Sequence, residues 1–107
     1  GGGGPPPPLL LRFPQVAAAR AEAIHRCFGA AKERYGYGGA YCGLFPVKAC
    51  RDWRTVCAVL ESGIGWGFGL EAGTKAELAL CLAAVRHVAA PGRTPLVCNG
   101  CKDGPYL

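Results

Sequence analysis

Methionine is missing from all 107 residues, even at position 1, and serine occurs once, at Ser62. A chain without a starting methionine is expected to be a processed or incomplete product whose targeting segment has been removed. The single serine sits in a turn signature, and the two aspartates and five glutamates are scattered. Neither a serine nucleophile nor a paired-carboxylate hydrolase is therefore indicated. Charge is also scarce, at 18% of residues against roughly 25% in ordinary globular domains. With half the residues apolar, this suits a folded domain whose surface is partly covered by a partner. Long hydrophobic runs are absent too. Residues 78–85 are uncharged but are closed by Glu77 and by Arg86-His87, and a membrane span needs about twenty such residues. Membrane contact is expected only indirectly, through partners.

The net charge of +5 is unevenly placed. Residues 1–57 carry Arg12, Arg20, Arg26, Lys32, Arg34, Lys48, Arg51 and Arg54 against Glu22, Glu33 and Asp52, whereas residues 58–107 balance. Such a half can steer toward an acidic partner. The basic residues are dispersed, and no RNA-stacking motif or DNA-binding spacing accompanies them, so nucleic acid is not expected. Seven cysteines, at positions 27, 42, 50, 57, 81, 98 and 101, are spread along the chain as in a disulfide framework of an oxidising compartment. An odd total leaves at least one thiol over, and Cys50 is the leading candidate. Cys98 and Cys101 form a CxxC. It lacks the second ligand pair of a zinc site and does not open a helix as a redox motif would.

Residues 1–13 read as a leader: four glycines, four prolines and the apolar group Leu9, Leu10, Leu11 and Phe13. That group is a liability in water and an anchor on a partner, so the leader is expected to be extended and partner-bound. Residues 14–107 then form one small domain. Val16, Ala19, Ala23, Cys27 and Ala31 recur at helical steps from Pro14 to about Lys32. Residues 42–47 suggest a short strand, confined to an edge by Pro46. Residues 55–60, β-branched and apolar, suggest a strand turning at Ser62-Gly63 into a second strand over residues 64–70. There Ile64, Trp66, Phe68 and Leu70 alternate with Gly65, Gly67 and Gly69. This places Trp66 and Phe68 in the core and leaves a glycine face for a close neighbour. Thr74-Lys75-Ala76-Glu77 is a capping box, opening a helix to about Ala89 that Pro91-Gly92 ends. Residues 94–98 supply the last strand. Leu78, Leu82 and Val85 add a second apolar stripe to that helix and offer a further interaction surface. Gly67-Phe68-Gly69-x-x-Ala72 matches a relaxed dinucleotide fingerprint, but no acidic residue follows at the ribose-binding distance. No cofactor or metal is expected, and no residue is assigned a catalytic role.

Cys57-Ala58-Val59-Leu60, Gly65-Trp66-Gly67-Phe68-Gly69 and Thr74-Lys75-Ala76-Glu77 through Cys81 resemble a repeat of a small secreted cysteine-rich family of unknown function. The likeness covers residues 55–101. It implies an exported, disulfide-stapled α+β domain; the pattern of elements itself reads as two helices packed on a small, mostly antiparallel sheet. The family pattern pairs each helix cysteine with the strand that follows, implying Cys27–Cys42, Cys81–Cys98 and Cys57–Cys101. The expected function is a non-catalytic accessory subunit, extracytoplasmic or organelle-lumenal, docked on a larger and membrane-associated protein assembly. The alternatives are a free secreted effector or inhibitor, and a zinc-binding module through Cys98 and Cys101.

Overall fold

The computed structural model describes residues 2–88 and 91–106. Helix α1 spans Pro14–Tyr35, beginning on a proline that needs no N–H partner. It ends at Gly36, whose φ of 63° only glycine adopts freely. Strand β1 is Leu44–Pro46, and helix α2 is Trp53–Gly63. A 3-10 turn at Ile64–Trp66 leads through the left-handed Gly67 to strand β2, Gly69–Ala72. Helix α3, Lys75–His87, and strand β3, Leu96–Cys98, follow, with a closing 3-10 turn at Gly104–Tyr106.

The sheet order is β1-β2-β3 and both pairings are parallel, with Phe45 opposite Leu70 and Leu70 opposite Leu96. Parallel neighbours need a crossover between them, and α2 and α3 are those crossovers. The core lies between these helices and one face of the sheet: Val47, Val56, Cys57, Leu60, Leu70, Ala72, Cys81 and Ala84. A smaller cluster of Ala21, Val59 and Phe68 seats α1 against α2. Residues 2–13 carry no regular structure, and Arg12 pairs with Asp52 at 3.5 Å.

This architecture corrects the expected antiparallel, two-helix fold. Residues 55–60 are helical, because Asp52 accepts the Thr55 amide at 3.0 Å as an N-cap and Val56, Val59 and Leu60 bury one helical face. Ser62-Gly63 closes this helix instead of turning a hairpin. The alternation over residues 64–70 is not one strand, since only its last two residues enter β2. Phe68 is buried, while Trp66 is half-buried and stacked on His25, with centroids 4.6 Å apart. The expected cap of α3 is present, with Thr74 Oγ1 accepting the Glu77 amide at 3.2 Å. The helix closes at His87, and the expected end at Ala89 lies outside the described residues, as does Gly1.

The disulfide staples are corrected as well. All seven cysteines are free thiols, so Cys27–Cys42, Cys81–Cys98 and Cys57–Cys101 are not bonded. Cys57 and Cys81 lie on α2 and α3 and face the core, where a thiol packs as a small hydrophobe. Cys27, Cys42, Cys98 and Cys101 are exposed and Cys50 is half-buried.

Candidate functional site

All three strands run the same way, so their carboxyl ends meet at one edge of the sheet. Ligands of open parallel sheets bind beyond the carboxyl ends of the strands. Here that edge is built by three short connections: residues 47–52 after β1, Gly73-Thr74 after β2, and residues 99–103 after β3. Side chains alternate along β2, so Leu70 and Ala72 enter the core while Glu71 takes the face away from α2 and α3.

Glu71 is the centre of a polar group at this edge. Asn99 Nδ2 donates to its Oε1 at 3.0 Å, and Lys48 Nζ stands 4.0 Å from the same oxygen. Lys48 is exposed and lies two residues beyond the end of β1. Lys102 Nζ donates to the Gly73 carbonyl at 3.3 Å and to the Asn99 carbonyl. Two primary amines, a carboxylate and a carboxamide thus converge where the strands end. A primary amine on this edge can condense with a carbonyl compound, and the carboxylate and amide can hold it in place.

A second carboxylate lies behind the edge. Glu77 is almost wholly buried, at 3% exposure. Its Oε1 accepts Arg51 Nη2 at 2.7 Å and its Oε2 accepts the Gly73 amide at 2.7 Å. The Arg51 hydrogen bond, then the Gly73 amide, hold its carboxyl below the usual glutamate range against the opposing effect of burial. Burial pushes the Cys81 thiol up to about 11, with Glu77 and Cys98 adding to the effect.

None of the residues singled out from sequence belongs to this polar group. Leu9, Leu10, Leu11 and Phe13 are exposed on the leader. On α3, Leu82 is 55% exposed, while Leu78 and Val85 pack partly against the core. Cys98 and Cys101 border the edge, but among the described residues no three His, Cys, Asp or Glu side chains gather as a metal site. Lys48, Glu71, Asn99 and Lys102 escaped notice because they join only when the sheet is parallel. The available signal was a lysine directly after a predicted strand, which the antiparallel reading left without meaning.

No family model matches the chain. It is similar to the biosynthetic arginine decarboxylase of Prochlorococcus marinus (strain MIT 9303), 45% identical over 99 residues that cover 92% of this chain and 15% of that protein. It is 44% identical over all 107 residues to arginine decarboxylase 1 of Oryza sativa subsp. japonica, again 15% of that protein. The crystal structure of the biosynthetic arginine decarboxylase of Campylobacter jejuni superposes with a TM-score of 0.74 at 33% identity, covering 86% of this chain and 15% of that one. The chain thus spans about 15% of the length of these relatives. These likenesses overturn the resemblance to a secreted cysteine-rich family, and with it the non-catalytic accessory, effector and zinc-module readings, because the relatives are enzymes. The expectation of an extracytoplasmic or lumenal home falls too, since it rested on disulfides that the structure lacks and on that family.

Proposed function

We propose that this chain supplies one strand–helix section of an arginine decarboxylase and brings to its active site the amine of Lys48. The observation that carries the reading is the position of Lys48. It stands at the carboxyl edge of a parallel sheet, 4.0 Å from Glu71, in a chain 44–45% identical to arginine decarboxylases over almost its whole length.

Removing the carboxylate of an α-amino acid as carbon dioxide leaves an electron pair on Cα, and no protein side chain can spread that charge. A carbonyl cofactor of the pyridoxal phosphate type supplies such an electron sink when bound. The residues at this edge fit that need, because Lys48 offers the primary amine such a group requires. Glu71 holds the lysine by charge, and Asn99 holds Glu71 in turn through its 3.0 Å hydrogen bond. The face of the sheet carrying Glu71 is opposite α2 and α3.

The test is to put this chain in place of the matching section of the Campylobacter jejuni enzyme and to measure carbon dioxide released from arginine. The chimera should be active, and both Lys48→Ala and Lys48→Arg should abolish turnover. Arginine keeps the charge but offers no amine able to condense with a carbonyl. Retention of activity by Lys48→Arg would remove the lysine from the reaction.

A further inference from the structure

We infer that Glu77 and Arg51 are positioning residues whose ion pair clamps the loop carrying Lys48 onto the start of α3, holding the lysine amine in register with Glu71. The inference rests on the reading of Lys48 given above. It begins from a surplus in the hydrogen bonding of Glu77. As the third residue of a capped helix, a glutamate reaches back to free amides at the helix start. Glu77 Oε2 meets that need through the Gly73 amide. Its Oε1 turns instead to Arg51 Nη2, 2.7 Å away and 26 residues earlier in the chain. Capping does not call for that bond.

Its effect falls on residues 47–52. This loop is tied at its start by the Val47 amide on the Glu71 carbonyl, at 3.1 Å, and at its end by Asp52, the N-cap of α2. Between them Ala49 donates to Pro46 at 3.0 Å, a bond within the loop itself. Arg51, just before Asp52, makes the shortest side-chain tie from this loop to another element. Lys48, three residues before Arg51, meets Glu71 only at 4.0 Å, so the loop backbone sets the point from which its flexible side chain reaches. Glu77 is a suitable anchor because its side chain is 4% exposed and both of its oxygens are engaged. The clamp joins two of the three connections at the carboxyl edge, those after β1 and β2.

Glu77→Gln separates this role from simple packing. Both partners of Glu77 are donors, and a carboxamide has one acceptor oxygen, so one of the two bonds must be lost. Arg51→Met removes the clamp from its exposed end and leaves the cap of α3 intact. Amide exchange in the chain itself should rise about tenfold or more at Ala49 in both variants, while amides in the middle of α1 keep their protection. In the active chimera both variants should lower kcat by about ten- to a hundredfold, the scale of a misplaced reacting group, with KM changing far less. Arg51→Lys, which restores the charge without the fork, should recover part of that loss. Unchanged exchange at Ala49 overturns the clamp whatever the chimera does, and so does an unchanged kcat in an active chimera. If the parent chimera is inactive, the decarboxylase reading fails, and the exchange measurement alone decides for or against the clamp.

Discussion

An alanine at position 69 would place its Cβ 2.2 Å from the Pro95 carbonyl oxygen, 2.8 Å from Leu44 Cδ2 and 2.9 Å from Pro95 Cβ. The first of these neighbours is backbone, which cannot swing aside as a flexible side chain can. The Pro95 carbonyl also accepts the Leu70 amide at 3.0 Å, and the Gly69 amide donates to Gly43 at 2.9 Å. Relief therefore means moving the entry to β3 away from β2 and stretching a ladder bond. Overpacking of this kind costs about 1–3 kcal/mol, and a weakened hydrogen bond adds about 0.5–1.5 kcal/mol. Alanine offsets about 0.4–1 kcal/mol by restricting the unfolded chain, so Gly69→Ala should lose about 2 kcal/mol net. Gly65→Ala is the control, because a Cβ there meets open space; its change should stay within about 0.5 kcal/mol. Urea unfolding reads both, as a lower midpoint at an unchanged slope. Equal midpoints for the two variants would refute the close approach of residues 69 and 95, and with it the parallel register of β2 and β3.

Leu60, fully buried between α2 and the sheet, should cost about 2–5 kcal/mol on Leu60→Ala, measured by the same unfolding. Gly36→Ala, at a φ of 63° with open space around it, should cost about 1 kcal/mol through backbone conformation alone, seen as fraying of α1 by circular dichroism. All seven thiols should react with an alkylating agent after unfolding without reductant. In the native protein Cys81 should lag, because a thiol at about 11 is thiolate only in about one molecule per thousand at pH 8, and Cys57 should lag as well because burial raises its thiol. Glu77 has a lowered folded-state pKa, so its stabilising effect is complete above the unfolded glutamate value and fades as pH falls through the lower folded one. Acid unfolding of Glu77→Gln should show a shallower loss over that window than the parent.

Local signals in the sequence were reliable where one residue type has one structural use. Thr74 and Glu77 announced α3, Pro14 announced α1, and Pro46 announced an edge strand. The expectation failed at α2, where Thr55, Val56 and Val59 carry β propensity. There the Asp52 cap and the burial of Val56, Val59, Leu60 and Gly63 along one helical face outweigh it. That single misreading turned a strand–helix–strand unit into a hairpin and so reversed the direction of pairing. With the strands antiparallel, Lys48, Glu71 and Asn99 have no shared edge, and the polar group could not be seen. The cysteines misled for another reason. Their number suggested cross-links, yet Cys57 and Cys81 are spaced to fill a helix–sheet core, which sequence counting does not distinguish from pairing.

Pro46 blunts the free side of β1. In this ladder Gly43 accepts from Gly69, and Val47 donates to Glu71, so the groups of Gly43, Phe45 and Val47 turn toward β2. The groups of Leu44 and Pro46 then turn outward. Proline has no N–H, and its carbonyl already accepts the Ala49 amide at 3.0 Å, so within β1 this outer border presents only the amide and carbonyl of Leu44. A copy of the same strand aligning there would find no donor at residue 46 and an acceptor already engaged. The border thus offers no ladder bond at that height and disfavours the indiscriminate edge-to-edge stacking by which exposed strands aggregate.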